Sequence, residues 1–516
     1  MRISRDCRLS INMLYVLIAI IMLVSILVAS SARASDAEYW PTSAWRTSTP
    51  EEQGIDSAEL AKAIDHVIDT ELRLHSLLVI RNGYVVADAI FSPFNRDTKH
   101  DLASVSKPIT ATLIGAAISA DHISGISQSL LEFYTDLTIA NADDRKREIR
   151  LEHMLTMTSG FTCISKPMEL TLFEMMSSDD WVQFALDRPM AQEPGEAWNY
   201  DSSSIYILSD VIRRATGKQA LDFGRSALFE PLGVTDIVWS MDPMQINNLG
   251  FGGIRMLPRD LAKIGMLYLR GGVWDGKRIL SEQWCAMATS ELVHAEDGSG
   301  HGFLWDCDGS VIKKSGRGGQ YLYMDSDLDL IVVLTSGYTA FRHIVSDYIL
   351  PACKSTGHLS PAPGKVAHLA SAISRAENNI RTLSVEQQSV PALAEQIANK
   401  RYIFDQNSFW LREMTLSFPN QVTAELSIDF MGYSGRYTVG LDDLPRVSAG
   451  QYGIPAVAHG GWISEDTFQL TLDEVGNINY WKISFKFAGD GVQVSMVEKE
   501  LGAPPEGTIT GRMTND

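Results

Sequence analysis

The 516-residue chain contains little cysteine and lacks several short motifs of metal and hydrolase chemistry. It has five cysteines, none of them in the Cys-x-x-Cys spacing of a structural zinc site. The His-Glu-x-x-His motif of zinc proteases and the Gly-x-Ser-x-Gly turn of α/β-hydrolases are also missing. These absences argue against a zinc enzyme and against an α/β-hydrolase.

Basic residues are in the minority. Lysine and arginine number 44 against 63 aspartate and glutamate residues, which gives a net charge of −19. A surface this acidic repels a phosphate backbone, so nucleic acid is excluded as the main partner. The content of 45% hydrophobic and 21% charged residues is ordinary for a globular protein, and the length suggests two to four domains.

Long hydrophobic runs are also scarce, and the one present lies at the N-terminus. Three arginines among the first eight residues precede an apolar run over residues 13–29, which leads to an Ala-x-Ala site ending at Ala34. This three-part pattern predicts a signal peptide over residues 1–34 and an exported protein, periplasmic or secreted. The alternative is an uncleaved membrane anchor, because about 17 apolar residues approach the length of a membrane span. After signal cleavage we expect no integral membrane span.

The order of the predicted elements indicates an α/β fold. Residues Ser76–Ile90 read as a hairpin around the turn Asn82-Gly83. Helical patterns dominate from about residue 105 to 290, among them Asp180–Leu186, Ser202–Ala215 and Asp260–Leu269. Strands return at Phe303–Asp306, Val311–Lys314, Gln320–Met324 and Leu328–Thr335. One sheet built from both ends of this region, with the helices inserted between, accounts for the order.

The composition changes after about residue 355. Residues 356–393 contain three prolines and are predicted to be a linker with short helices. From 394 to 516 short strands and turns recur, which predicts a separate all-β domain after a first domain over 35–355. The predicted strands are Tyr402–Phe404, Val422–Phe430, Arg436–Val439, Thr467–Leu472, Lys482–Phe487 and Val492–Val497.

Ser104 and Lys107 stand three residues apart at the predicted start of a helix. Pro108 is tolerated only in a first helical turn, so the helix begins at about Ser104. Hydroxyl and amine then share one face at an electropositive helix end. Ser104 is therefore a candidate nucleophile, provided that burial or nearby positive charge lowers the pKa of Lys107. The alternative is a capping serine beside a solvated lysine.

Tyr200 lies on the loop that leads from the turn Pro194-Gly195 into the helix predicted to begin at Ser202. Loops that enter helices often carry functional side chains, and a phenol near cations can act as a general base. Taken alone, the position is better explained by an ordinary amphipathic tyrosine.

Three glycines surround Arg317, namely Gly316, Gly318 and Gly319. Glycine at a strand start favours close approach of another backbone or a ligand. Arg317 is a candidate to bind a substrate carboxylate or to keep Tyr200 ionised. A bulge or tight turn with a solvated arginine is the alternative.

These elements, in this order, resemble the serine β-lactamase and DD-peptidase superfamily, in particular its class C-related esterases and amidases of the 6-aminohexanoate-oligomer hydrolase type. The resemblance covers roughly residues 41–352. It rests on the segments Thr49–Asp56, His100–Lys107, Leu151–Gly160, Asp260–Gly265 and Gly316–Gln320.

The resemblance implies a β-lactamase/transpeptidase-like antiparallel sheet flanked by helices, with an inserted helical subdomain. It implies that Ser104 is acylated, that Lys107 helps to activate it, and that Tyr200 is the general base. The backbone N–H groups of Ser104 and Gln320 would form the oxyanion hole. Substrate contacts are implied for Ser202, Arg317, Gly318 and Gly319. The resemblance implies neither a metal nor an organic cofactor.

Two departures from the family pattern bear on the substrate. The usual Tyr-x-Asn is here Tyr200-Asp201-Ser202, and the usual Lys-Thr-Gly is interpreted as Arg317-Gly318-Gly319. The loss of the asparagine weakens the case for a β-lactam or peptide substrate, whereas arginine keeps the positive charge but presents a flat guanidinium instead of an ammonium. We therefore predict an exported serine hydrolase that cleaves a carboxylic ester or amide through an acyl-enzyme, with a small ester, amide or peptide-like substrate. The alternatives are a class C-like β-lactamase or DD-peptidase, and a catalytically idle binding protein on the same scaffold.

Overall fold

The structure is a computed structural model that describes residues 39–337, 343–379, 390–407, 410–430, 432–442, 444–498 and 507–514. The predicted signal peptide, residues 1–34, lies outside the described residues. The described residues from Pro41 onward belong to one compact unit. Within the described ranges, no helix has both the length and the apolar character needed to cross a bilayer.

An eight-stranded antiparallel sheet is assembled from two distant parts of the chain. Its strands, in spatial order, are Tyr84–Ile90, Leu74–Arg81, Leu330–Ser336, Gln320–Asp325, Val311–Gly316, Asp306–Asp308, Gly300–His301 and Val293–His294. Leu78 of the N-terminal hairpin pairs with Val333 of the central strand. The predicted sheet built from both ends of the region, with helices inserted between, is confirmed.

The N-terminal hairpin turns at Asn82 and Gly83, whose φ angles are +51° and +74°. Two successive left-handed residues match the twist of an antiparallel hairpin, which is why Asn-Gly is favoured there. The central strand Leu330–Ser336 is buried along its whole length, as its continuous apolar run predicts.

Helices fill the insertion and flank the sheet. They are Ser57–Asp69, Ser106–Ser119, Asp144–Arg147, Leu151–Leu155, Leu170–Met176, Trp181–Asp187, Ser202–Thr216, Ala220–Gly224, Pro258–Leu269, Glu282–Ala288, Leu350–Ala352, Pro363–Asn378 and Leu393–Ile397. Small two- and three-residue strands also occur, at His100–Asp101, Val238–Trp239, Ile254–Met256, Val273–Trp274 and Lys277–Arg278.

Local sequence explains where the principal helices start and stop. The side chain of Asp201 caps Ser202–Thr216 by accepting from the N–H of Ser204, and Gly217 ends that helix with φ +70°. Pro258 opens the next long helix, where a missing N–H costs nothing.

Part of the segment predicted to be a linker packs into the first core. The helix Pro363–Asn378 buries Leu369, Ala372 and Ala376 in the same apolar cluster as the helix Ser57–Asp69. Its alanines and single leucine recur at helical spacing, which allows close packing. Residues 380–389 of the predicted linker lie outside the described residues.

A closed ten-stranded β-barrel follows, which confirms the predicted C-terminal all-β fold. Its strands, in spatial order, are Tyr433–Gly440, Thr423–Phe430, Leu411–Ser417, Arg401–Phe404, Gly507–Met513, Gly491–Glu498, Asn479–Ala488, Thr467–Glu474, Pro455–Trp462 and Arg446–Ala449. Gly440 pairs with His459 and closes the sheet. Large side chains such as Tyr402, Trp462 and Phe468 fill the interior.

Some strands departed from the predicted pattern. The strand Pro455–Trp462 was not predicted, because its proline and two glycines obscure the alternation of apolar and polar residues. Gly460 is nevertheless required in this strand, since a Cβ at that position would lie 2.4 Å from the carbonyl oxygen of Gln469. The predicted strand Phe303–Asp306 is wrong over its first three residues. Leu304 has φ +62°, and the strand begins only at Asp306.

Candidate active site

Ser104 lies in a short turn directly before the helix Ser106–Ser119. Residues Ala103–Val105 form this 3₁₀ turn, and Ala103 has φ +46°, a conformation that costs free energy for any residue with a Cβ. The carboxylate of Asp101 accepts a hydrogen bond of 2.7 Å from the N–H of Ala103. The turn is therefore held in a strained conformation by its surroundings.

Two side chains donate hydrogen bonds to the hydroxyl oxygen of Ser104. Nζ of Lys107 lies 2.9 Å away, one helical turn further along the chain. The hydroxyl of Tyr200 lies 2.7 Å away and comes from the loop before the helix Ser202–Thr216. The structure thus brings together the three residues predicted to carry the chemistry.

Lys107 is almost fully buried, with 1% of its surface exposed. Burial lowers the pKa of Lys107 to about 8, although carboxylates at Glu169, Asp201 and Asp306 oppose the shift. Nζ also donates to the carbonyl oxygen of Phe251 at 3.0 Å. Near neutral pH this amine is therefore close enough to its pKa to give up and take back a proton.

Tyr200 is less acidic than an ordinary tyrosine. Burial raises the pKa of Tyr200 to about 12, and the ammonium of Lys314 works against that rise. Nζ of Lys314 lies 5.9 Å from the centre of the Tyr200 ring, and Nζ of Lys107 lies 4.8 Å from it. Tyr200 therefore keeps its proton over the physiological range and can donate it.

Lys314 is held beside Tyr200 by a chain of polar contacts. Its ammonium pairs with the carboxylate of Asp306 at 2.8 Å. Burial alone would raise the pKa of Asp306, but Lys314 and His301 hold it well below its usual range. His301 lies 3.3 Å from the same carboxylate and stacks on Trp198 at a ring distance of 4.5 Å. These contacts fix one positive charge at the wall of the site.

Gly316 allows the strand Val311–Gly316 to run directly against the Ser104 turn. A Cβ at this position would lie 2.6 Å from the carbonyl oxygen of Leu102 and 3.0 Å from the backbone nitrogen of Ser104. Only glycine fits such a close approach.

Ser104 opens into a cleft of about 770 Å³. The cleft is lined by side chains of mixed character, including Cys163, Ile164, Lys166, Glu169, Trp198, Tyr200, Glu296, Asp297, His301, Asp306 and Lys314. This volume accommodates a small organic substrate. No group of three or more histidine, cysteine, aspartate or glutamate side chains suited to a metal occurs in the part of the chain that the structure describes.

The structure places Ser202 away from the substrate cleft. Ser202 is buried in the first turn of its helix and is not among the residues that line the cleft. Its neighbour Asp201 caps that helix and forms a buried ion pair of 2.9 Å with Arg188. The Tyr200-Asp201-Ser202 motif therefore presents only its tyrosine to the site.

The Arg317-Gly318-Gly319 segment is also placed differently from the prediction. The guanidinium of Arg317 donates to backbone carbonyls of the barrel rather than to Tyr200. Gly318 packs against Ile478, so closely that a Cβ would lie 1.9 Å from Cγ2 of that side chain. Arg317 still lines the cleft, whereas Gly318 and Gly319 are not among its lining residues.

Gln320 lies on the next strand, opposite Gly316 in the sheet. Its side chain donates to the carbonyl oxygen of Ser336. Because Arg317 directly follows Gly316, which approaches the Ser104 nitrogen, Arg317 is a second candidate for the oxyanion-hole N–H beside the predicted Gln320.

Lys314-Ser315-Gly316 occupies the place that the prediction gave to Arg317-Gly318-Gly319. Its lysine stands beside Tyr200 and its glycine against Ser104. The order lysine, hydroxyl residue, glycine is the signal that could have identified it, since it matches Lys-Thr-Gly more closely. His301, Asp306 and Trp198 carry no comparable local motif and were missed.

The comparison with known sequences agrees with this geometry. The model of the Beta-lactamase family matches residues 65–341. The chain belongs to the beta-lactamase family. Its matched region contains the Ser104 turn, the Tyr200 loop and the strand that ends at Gly316, and the fold is beta-lactamase-like.

Relatives in this family are named as hydrolases. The 6-aminohexanoate-dimer hydrolase of Paenarthrobacter ureafaciens is 24% identical over 331 residues, which are 58% of this chain and 83% of the relative. The esterase EstB of Burkholderia gladioli is 28% identical over 209 residues, 35% of this chain and 52% of the relative. The protein is accordingly a serine hydrolase of the esterase, amidase and beta-lactamase-like group.

A solved structure supports the fold. A Bacillus anthracis protein assigned to the 6-aminohexanoate-dimer hydrolases superposes with a TM-score of 0.50 and 16% sequence identity. The match covers 62% of this chain and 90% of that chain.

Proposed function

We propose that this protein is an exported hydrolase that cleaves a carboxylic ester or amide through an acyl-enzyme on Ser104. The observation that carries the proposal is the pair of hydrogen bonds to the Ser104 hydroxyl, from Lys107 at 2.9 Å and from Tyr200 at 2.7 Å. A nucleophile flanked by one group that can take a proton and one that can give a proton has what acyl transfer requires.

Lys107 acts as the base in acylation. With a pKa of about 8 against about 12 for Tyr200, it is the group that is partly unprotonated near neutral pH. An N–H of the neutral amine stays on the carbonyl oxygen of Phe251, which leaves the nitrogen lone pair for Ser104. The Ser104 proton passes to Lys107 as Oγ bonds to the substrate carbonyl carbon. This assignment differs from the expectation that Tyr200 is the base.

Tyr200 acts as the acid for the leaving group. When the tetrahedral intermediate collapses, the bond to the alcohol or amine breaks and the departing atom takes the Tyr200 proton. The ammonium of Lys107 then returns a proton to the phenolate. In the second half, water attacks the acyl carbon and gives its proton to the same pair, and the carboxylic acid leaves as Ser104 regains a proton.

The oxyanion hole is formed by the backbone N–H groups of Ser104 and Arg317. The strand end at Gly316 approaches the Ser104 nitrogen closely, and Arg317 is the next residue. Preorganised N–H donors of this kind often supply the largest single part of transition-state stabilisation. The ammonium of Lys314 adds a positive charge to the wall of the same cleft.

The mouth of the cleft favours a substrate with an apolar portion. Ile164 lines the cleft and is 48% exposed, and its backbone bonds to Thr171 at the start of the helix Leu170–Met176. On that helix Leu170, Phe173 and Met176 recur every third residue and are exposed. An apolar helix face tied to a residue of the cleft is a suitable surface for an acyl or alkyl chain.

A comparison of wild-type protein with Ser104→Ala tests the proposal. The substrates are p-nitrophenyl acetate, a 6-aminohexanoate dimer and a chromogenic cephalosporin. We expect turnover of the ester or the amide, and a loss on the order of a million-fold in the variant. Ser119→Ala, a serine near the end of the same helix, is the matched control and keeps full activity. Equal rates in wild type and Ser104→Ala would refute the proposal, and preferential cephalosporin turnover would favour a β-lactamase.

Export is the remaining part of the proposal. The arginine-rich start, the apolar run over residues 13–29 and the Ala-x-Ala site favour cleavage after Ala34. In a bacterial host we expect the mature protein in the periplasm or medium with Ser35 at its N-terminus, as read by intact-mass measurement. An unprocessed N-terminus in the membrane fraction would instead indicate an anchor.

A further inference from the structure

One loop of the barrel contacts the residues around the proposed nucleophile. Residues 475–478, here called the 475–478 loop, join the strands Thr467–Glu474 and Asn479–Ala488. Two arginines of the catalytic region, Arg255 and Arg317, donate hydrogen bonds to this loop. They approach the loop from two segments that both border Ser104.

Arg255 links the loop to Asp101, the acidic residue that binds the turn directly before Ser104. It is buried in the strand Ile254–Met256. Its guanidinium donates to the carbonyl oxygen of Gly476 and, at 3.1 Å, to Oδ1 of Asn477. The same guanidinium pairs with the carboxylate of Asp101 at 3.1 Å. A buried arginine with partners on both sides has little freedom to move, so it fixes their separation.

Asp101 transmits this constraint to the nucleophile. One carboxylate oxygen faces Arg255 and the other accepts the N–H of Ala103, the strained residue directly before Ser104. The position of the Ser104 nitrogen and hydroxyl thus depends on where the Asp101 carboxylate is held. Asp101 in turn is held by Arg255.

Arg317 connects the loop to the other side of the oxyanion hole. Its guanidinium donates to the carbonyl oxygens of Ile478 at 2.9 Å and Asn477 at 2.5 Å. The Ile478 side chain packs on Gly318, the next residue. The backbone N–H of Arg317 is therefore anchored from the barrel through its own side chain and through its neighbour.

We propose that the 475–478 loop of the barrel, through Arg255 and Arg317, sets the relative position of the two N–H groups that bind the oxyanion. The inference rests on the proposed function, because it assigns a positioning role for that same reaction. Arg255 and Asn477 are positioning residues, since they act through Asp101 and through the backbone of Arg317. The barrel thereby contributes to the geometry of the catalytic centre.

The physical reason is the steep dependence of oxyanion stabilisation on geometry. The donors must lie about 2.7–3.1 Å from the position of the developing charge, and an error of about 1 Å can cost on the order of a hundred-fold in rate. Binding of the ground-state substrate carbonyl depends less on the positions of these donors. Loosening the loop should therefore lower kcat and leave KM nearly unchanged.

The variant Asn477→Ala in the full chain tests the proposal with p-nitrophenyl acetate, which carries no carboxylate for Arg317 to bind. We expect kcat to fall about tenfold or more per active site, with KM changed less than about twofold. Sites are counted by titration with a fluorophosphonate, so any unfolded fraction is removed from the rate. The conservative Asn477→Asp keeps an acceptor for Arg255 and should restore most of kcat.

Asn420→Ala is the matched control, because the side chain of Asn420 accepts from the N–H groups of Val422 and Thr423 within its own barrel turn. It should keep wild-type kcat. The proposal is overturned if Asn477→Ala keeps wild-type kcat per site, or if its effect appears in KM alone. Residual activity in Ser104→Ala would instead refute the proposed function, so the two failures are distinguishable.

Discussion

The hydroxyl oxygens of Ser104 and Tyr200 lie 2.7 Å apart although the two residues are separated by 96 positions in the chain. Lys107 approaches the same serine oxygen from within its own helix. Local helix geometry therefore places Lys107 beside Ser104, whereas the tertiary fold places Tyr200 there.

The rate should depend on the protonation of Lys107. Because burial lowers the pKa of Lys107 to about 8, the amine is protonated below that pH and becomes an acceptor above it. We expect kcat/KM to rise with pH through about 8 and then level off. A pH profile with a stable ester measures this. Lys107→Arg stays charged at every accessible pH and should lose both the activity and the inflection.

Tyr200→Phe removes the hydroxyl next to Ser104 and keeps the ring that packs beside Trp198. We expect kcat to fall by roughly 10²–10⁴-fold on an amide, the usual contribution of a positioned proton donor. The loss should be smaller on a p-nitrophenyl ester, whose leaving group needs no proton. Equal losses on both substrates would contradict the role of Tyr200 as the acid.

Lys314→Met removes the charge that opposes the rise in the pKa of Tyr200 and leaves Asp306 without its ammonium partner. We expect lower kcat and a lower Tm, since breaking a largely buried pair leaves one charge uncompensated. Lys313→Met is the matched control, because adjacent strand residues point to opposite faces of the sheet. Equal effects of the two variants would argue against a specific role for Lys314.

Gly316→Ala should displace the nucleophile. The added methyl group would lie 2.6 Å from the carbonyl oxygen of Leu102 and 3.0 Å from the nitrogen of Ser104. We expect activity to fall at least a hundred-fold while the circular dichroism spectrum stays native. Gly364→Ala, where a Cβ meets nothing within 4 Å, should keep wild-type activity. A fully active Gly316→Ala would show that the contact is not required.

Phe173→Ser should reduce the preference for long apolar chains. Because the exposed helix face adjoins the cleft at Ile164, we expect kcat/KM for p-nitrophenyl decanoate to fall three- to tenfold, and that for the acetate to stay unchanged. Each buried methylene contributes about 0.8 kcal/mol, so losing a partial contact has an effect of this size. Met244→Ser, another exposed apolar side chain on a different surface, is the control.

Much of the fold follows from local patterns. Several element boundaries can be predicted from the sequence, because each depends on the backbone preferences of one or two residues. They are the turn at Asn82 and Gly83, the helix cap at Asp201, the helix end at Gly217 and the helix start at Pro258. Strands with proline or glycine, such as Pro455–Trp462, were missed, because their stability comes from cross-strand packing rather than from alternation.

In the candidate site, too, some residues could be identified from local sequence, whereas the role of others depends on the tertiary structure. Ser104 and Lys107 could be paired from their spacing, because a helix start fixes their relative position. The order lysine, hydroxyl residue, glycine favours Lys314 over Arg317, but it does not show which of the two cations meets Tyr200. The choice was made by the strand register, which places Lys314 beside Tyr200 and sends the Arg317 side chain to the barrel.

Periodicity and local backbone energies fix the class of fold, the helix start that brings Ser104 and Lys107 together, and the presence of a second, all-β region. Tertiary structure alone decided which cation meets Tyr200, how deeply Lys107 is buried and which barrel loop contacts the two arginines. Those properties depend on distances between residues far apart in the chain, and burial and electrostatic interactions act through such distances.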